Sequence, residues 1–131
     1  AVLVVLDPRH HTVSVANAGH MSPILRSRVG DLTEPGEDSA GLPLGIMEGM
    51  DYANTTVQMA NGDSITMYTD GLNEAVSEAN EFYTIDRVRR LIKQNGGAPR
   101  TLGPAIIEDV CRFVGDGTQS DDMCLVTLGR I

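Results

Sequence analysis

The sequence has no Trp and only two Phe and three Tyr, so its core has to be built from Val, Leu, Ile and Met. Basic charge is nearly as scarce. Ten Lys and Arg face eighteen Asp and Glu, the net charge is −8, and Lys93 is the single lysine. No Lys/Arg cluster occurs, which argues against nucleic acid as a ligand, because phosphate backbones select basic surfaces. The two cysteines, Cys111 and Cys124, form no CxxC pair. They are neither a disulfide framework nor a zinc site. Both fall in apolar stretches and read as small core residues in a reducing, cytoplasmic setting. No apolar run approaches membrane-spanning length and no basic-then-apolar leader is present, so no membrane contact is expected. The glycines show neither GxGxxG nor GxxxxGK[ST], and no GxSxG frames a serine nucleophile.

What is present is an ordinary globular balance: 131 residues, 41% hydrophobic and 21% charged. That is enough for one domain with a real core. The chain opens on "AVLVVLD" with no Met and no polar lead-in, which reads as a segment of a longer protein.

Residues 1–7 read as a strand apolar on both faces and therefore buried on both. "PRHH" at 8–11 is a turn, with His10 and His11 solvated, and "TVSVANA" at 12–18 alternates as a half-buried strand. "GHMSP" breaks it, and 24–28 gives a third strand of an antiparallel meander. Residues 30–40 form an acidic loop, and "GLPLGI" at 41–46 is a compact apolar segment. Residues 53–59 and 64–70 read as two strands of a hairpin joined by "NGD" at 61–63. Helical periodicity then takes over. One helix covers 84–95, with Ile85, Val88, Leu91 and Ile92 on one face, a Thr84 cap and a Gly96-Gly97 stop. A second covers 102–114, capped by Thr101, with Pro104 in its first turn. The turn-rich 115–122 leads to a last strand, 123–131, apolar on both faces. The order β-β-β-loop-β-β-α-α-β indicates an α+β fold with antiparallel sheet.

Two acidic positions share a design. Asp70 stands where a strand ends, and Asp121 and Asp122 stand where the last strand begins. If those strands pair antiparallel, the carboxylates converge at one edge of the sheet. Hard cations such as Mg²⁺ and Mn²⁺ take oxygen ligands of this kind, and Gly71 lets backbone approach closely. On spacing alone, Asp-Gly and Ser-Asp-Asp serve equally well as turn chemistry. His20, in "NAGH", suits a turn or surface role better than that of a base or ligand, having no second His beside it.

Four segments occur in order and at suitable spacing: "VANAGHMSPIL" (15–25), "GLPLGI" (41–46), "MYTDGLNEA" (67–75) and "SDDMCLVTL" (120–128). Together they resemble the SpoIIE-type PP2C-like serine/threonine phosphatases of bacteria, which act in partner-switching regulation. The resemblance spans nearly the whole chain. It implies an antiparallel β-sandwich with flanking helices, residues 1–131 being a partial domain without its N-terminal part. It implies a signalling enzyme that hydrolyses phosphoserine or phosphothreonine with metal-activated water, using two Mn²⁺ or Mg²⁺ ions. Asp70 matches the family aspartate of the strand-end "DG" motif, a metal ligand. Asp121 matches the first residue of the C-terminal acidic pair, also a ligand, and Asp122 matches its neighbour, set behind it. Glu74 fits the pattern at a helix start, and "NAGH" and "GLPLG" correspond to loops that shape the site. The implied partner is a phosphorylated regulator protein such as an anti-sigma-factor antagonist.

One departure is large. The family's N-terminal "D-x-x-GHG" type motif, whose Asp bridges the metals, has no counterpart here. The segment alone is therefore expected to be inactive and to hold metal weakly, and its unpartnered sheet edges favour a homodimer. Two rival readings stand beside the enzyme: a phosphatase-like module that binds a regulator without catalysis, and a structural α+β domain whose acidic turns are only turns.

Overall fold

The computed structural model describes residues 1–95, 98–117, 119 and 121–131. Strands β1 (Val2–Asp7), β2 (Thr12–Asn17), β3 (Ile24–Arg26), β4 (Leu32–Thr33), β5 (Asn54–Gln58) and β6 (Ser64–Tyr68) come first. Helices α1 (Asp70–Asn73), α2 (Ile85–Gln94) and α3 (Pro99–Val114) follow, and β7 (Leu125–Gly129) is last. The strands form two antiparallel sheets, ordered β1-β2-β5 and β4-β3-β6-β7.

The alternation of each strand sorts its side chains into two cores. Val13, Val15, Met59 and Ile65 are buried between the sheets, with Val4, Val57, Leu25 and Leu128 packed around them. Ile24 and Tyr68, on the opposite face of the second sheet, meet Leu72, Val88, Ile92, Leu102, Ile106 and Val110 of the helices. The result is an α+β sandwich of sheet, sheet and helices. The cores are aliphatic, as the scarcity of aromatics requires.

Several pairings differ from the sequence reading. Among the described residues β1 is paired only with β2, and Leu3, Val5 and Leu6 are 62%, 52% and 44% exposed. It is an edge strand rather than one buried on both faces. β7 is likewise an edge, with Val126 exposed. There is no three-strand meander, because the chain leaves the first sheet after Asn17 and β3 pairs with β4 and β6. The "NGD" turn is tight, with Gly62 at φ 90°, but it joins strands of different sheets. Asp63 holds it by accepting the Ala60 and Arg28 amides at 2.7 and 2.8 Å. The acidic 30–40 loop contains β4, and "GLPLGI" is exposed rather than compact.

The helical faces match their periodicity, but their starts do not. Thr84 sits at φ 70° and makes no side-chain cap. Helix α3 begins at Pro99, so Thr101 lies inside it and Pro104 stands beyond the first turn. Pro99 needs no amide partner at the first helical position. Gly96-Gly97, read as a helix stop, lies outside the described residues. Cys111 and Cys124 are both exposed, not core. Cys111 is on the outward side of α3 beside buried Val110, and Cys124 precedes the edge strand.

Two buried tyrosines carry the polar part of the helical core. Burial first, and the Glu34 carboxylate second, push the Tyr68 phenol from 10.0 up to about 12. Burial, together with a 2.6 Å hydrogen bond donated to Asp109, pushes Tyr83 upward as well. Both phenols are thus held neutral in the folded chain. Their contribution is full below pH 10, where the unfolded chain also keeps them protonated, and is lost as the pH rises from 10 towards 12. We expect the chemical-denaturation midpoint to fall steeply above pH 10, and a Tyr68→Phe/Tyr83→Phe variant to show a flatter fall. Equal slopes for the two proteins would contradict this assignment.

Candidate functional site

β6 and β7 pair from Ser64↔Gly129 to Tyr68↔Leu125. The C-terminal end of β6 and the N-terminal end of β7 therefore lie at one rim of the sandwich. Asp70 follows directly on β6, and Asp121-Asp122 lead into β7, so the convergence expected from sequence is observed at the level of the backbone. A Cβ on Gly71 would stand 2.6 Å from the Asp122 carbonyl oxygen and 3.2 Å from the Asp121 carbonyl carbon. Only glycine fits there, and the reason is space, since its φ is not in the left-handed region.

Thr69, which the sequence reading passed over, ties the two segments together. Its hydroxyl donates to the Asp122 carbonyl at 2.9 Å and accepts the Cys124 amide at 2.9 Å. Its own amide donates to the Cys124 carbonyl at 3.0 Å. A Thr between a strand and an Asp-Gly, opposite a strand that begins after Asp-Asp, is the pattern that could have revealed it.

The three candidate carboxylates are exposed. Asp70 Oδ1 accepts the Gly71 amide at 3.1 Å, and Asp121 Oδ1 accepts the Asp122 amide at 2.7 Å. Each is thus turned onto the backbone amide of the next residue. Asp70, Asp121 and Asp122 do not form a three-carboxylate cluster, and no group of three or more acidic, His or Cys residues with metal-site geometry occurs among the described residues. Ser120, the first residue of the C-terminal motif, lies outside them. The donor chemistry nevertheless suits a hard divalent cation, for which one or two carboxylates with waters suffice.

The "NAGH" loop reaches the same rim. Asn17 is buried, accepts the His20 amide at 2.8 Å and donates to the His20 carbonyl at 2.9 Å. His20 Nδ1 donates to the Met21 carbonyl at 3.1 Å, a turn role as expected. Met21 packs against the Tyr68–Leu72 core. Glu74 lies at the C-terminal end of α1 rather than at a helix start. Behind the rim, Arg89 Nε donates to Glu34 at 2.8 Å and ties α2 to the loop after β4.

Two sheets packed face to face, helices against one of them and acidic residues at a strand-end rim define a PP2C-type phosphatase-domain fold. The SiaA-PP2C domain of Pseudomonas aeruginosa has this fold, with a TM-score of 0.78 at 22% identity over 98% of this chain and 50% of that one. The phosphatase domain of SpoIIE from Bacillus subtilis gives 0.73 at 20% identity, over 99% and 55%. The chain belongs to the SpoIIE family: residues 1–131 match the family of Stage II sporulation protein E. Protein IcfG of Synechocystis sp. (strain ATCC 27184 / PCC 6803 / Kazusa) is 23% identical over 126 residues, which is 96% of this chain. The chain spans about half the length of those two solved domains and 20% of IcfG.

Gly71→Ala should push the Asp121-Asp122 backbone off the rim and cost roughly 1–3 kcal/mol. Thermal unfolding measures the cost, and amide exchange at Cys124 reports the loosened contact. An unchanged melting temperature would mean that the close approach is not a constraint.

Proposed function

We propose that residues 1–131 supply the C-terminal part of a metal-dependent serine/threonine phosphoprotein phosphatase domain acting on a bacterial signalling regulator. The observation that carries this reading is the meeting of Asp70-Gly71 with Asp121-Asp122 at one rim. Family membership supports it. So do the SpoIIE domain structure presoaked with Mn and the structure of RsbX in complex with magnesium, both similar in fold to this chain.

In this reading Asp70 and Asp121 hold Mn²⁺ or Mg²⁺ and Asp122 stands behind them. When bound there, a divalent cation would supply positive charge beside a phosphoryl group and lower the pKa of a water. Thr69 fixes the separation of the two carboxylate-bearing segments, and Gly71 keeps the space between them free of side chain. The remaining ligands come from the part of the domain that this chain does not span, so the chain alone holds metal weakly. The substrate is a phosphorylated regulator protein, an anti-sigma-factor antagonist being the kind that the family resemblance suggests.

A non-catalytic module that binds such a regulator is the second reading. It is favoured by the lack of a three-acid cluster among the described residues.

The test is phosphate release from a phosphoserine peptide by the protein at its full natural length, with and without Mn²⁺. We expect turnover that EDTA abolishes and that Asp70→Asn and Asp121→Asn each eliminate. Asp122→Asn should lower it by about 10–100-fold, the usual effect of residues behind a ligand. Turnover that survives Asp70→Asn would sink the metal assignment, and a folded, inactive wild type that still binds its regulator would favour the second reading. Calorimetric titration of this chain with Mn²⁺ should show only weak binding; tight two-site binding would refute the division of ligands proposed here.

A further inference from the structure

The rim carries a second feature that the acidic residues do not explain. Leu42, Leu44, Ile46 and Met47 are 43%, 64%, 67% and 59% exposed within a single loop. Several large apolar side chains exposed together on one loop are the kind of surface that serves interaction. The loop's backbone is nevertheless anchored. The Gly41 amide donates to the Asn17 carbonyl at 2.9 Å, and Tyr52 Oη donates to the Leu42 carbonyl at 3.0 Å. Pro43 packs so closely on Gly19 that a Cβ there would stand 2.7 Å away. The side chains are held outward by a tethered frame.

Strand register locates this frame. Ala16 pairs with Asn54, so the loop's return to β5 lies at the Asn17 end of β2. The short connection from Asn17 leads to Ile24, which pairs with Thr66 near the end of β6. The loop and Asp70 therefore stand at the same end of the sandwich. Charge gives the third observation. No Lys or Arg occurs between Arg28 and Arg87, while Glu37, Asp38, Glu48 and Asp51, on or beside the loop, are exposed.

We propose that the loop around Leu44 and Ile46 is the docking element for a protein partner presenting an apolar patch bordered by Lys or Arg. Apolar contact supplies the affinity, and the surrounding acidic residues select the partner. Self-pairing is disfavoured by the same charges, because a twofold contact would set acidic residues against acidic residues. The inference deepens the phosphatase reading and rests on it in one respect: the docked partner's phosphorylated residue is delivered to the Asp70–Asp121 rim.

The test uses the full-length protein and its Ile46→Ser/Met47→Ser variant, both positions lying outside the "GLPLG" segment expected to shape the site. The probes are p-nitrophenyl phosphate, a phosphoserine peptide carrying a Leu/Ile patch bordered by Lys, and the same peptide with Glu for Lys. We expect the variant to raise KM for the Lys peptide at least about tenfold with kcat unchanged. Hydrolysis of p-nitrophenyl phosphate should be unchanged, and the Glu peptide should be a poor substrate for both proteins. Fluorescence anisotropy with the unphosphorylated Lys peptide gives binding without catalysis, and binding should weaken in the variant and with added salt. If p-nitrophenyl phosphate is not hydrolysed but peptide binding still depends on Ile46 and Met47, the phosphatase reading fails and the docking element stands. Equal peptide affinity in wild type and variant overturns the proposal. A large drop in the variant's melting temperature also overturns it, as does loss of a wild-type dimer, since the side chains would then serve the fold or a second copy.

Discussion

The burial of β6 on both faces is the constraint from which the rim follows. Ile65 points into the core between the sheets, while Thr66 and Tyr68 point towards the helices. Strands β3 and β7 are bonded to its two edges, and the Thr66 and Thr127 hydroxyls meet at 3.2 Å on the helical side. A one-residue slip would carry Ile65 out of its core and put Thr66 in its place, so the register is held by both cores at once. Thr69 and Gly71 then arrive opposite Asp122 and Cys124 without freedom to move along the strand. The separation of Asp70 from Asp121 is in that sense a consequence of aliphatic packing some distance away. The threonine clamp adds direction to what the cores have already positioned.

Periodicity made most of the elements legible, because it reports which side chains a segment can bury. It does not report which neighbour a strand takes. The connection after Asn17 and the "NGD" turn look like hairpin links by length and residue type, yet each carries the chain from one sheet to the other. Continuous apolarity in 1–7 and 123–131 misled for a related reason. Both segments end up at sheet edges, where one face and the outer backbone meet solvent. The caps failed through geometry: Thr84 has a left-handed backbone, and Pro99 starts α3 before Thr101 can cap it. The approach of the Asp70-Gly71 backbone to Asp121-Asp122 was legible because it needed only that two strands pair antiparallel. Thr69 was not, because a hydroxyl bridging two backbone segments leaves no periodic trace.

The chain's exposed apolar residues fall into two groups with different physics. Leu3 and Val5 lie on the outer face of an edge strand, where no described element covers them. Such a strand is an ordinary place for a sheet to take another neighbour. Leu44 and Ile46 lie on a loop whose backbone is bonded to Asn17 and Tyr52 and packed against Gly19. Their exposure is therefore of a different kind from that of an unpaired sheet edge.

The scarcity of basic residues links that loop to the carboxylates. Between Arg28 and Arg87 the chain offers no internal countercharge, so the acidic groups of the rim and the loop repel one another through a largely aqueous medium. Glu34 and Asp86 are exceptions, both paired with Arg89 of α2. The cost of the remaining repulsion is modest at physiological ionic strength, because exposed charges are screened over about 8 Å. It would fall further if the cation proposed for the rim were bound, or if the proposed basic partner covered Glu48 and Asp51. The two events relieve the same field, so each should favour the other even without a contact between them. On the proposed reading, the acidic composition would make the rim receptive to a cation and to a basic partner together.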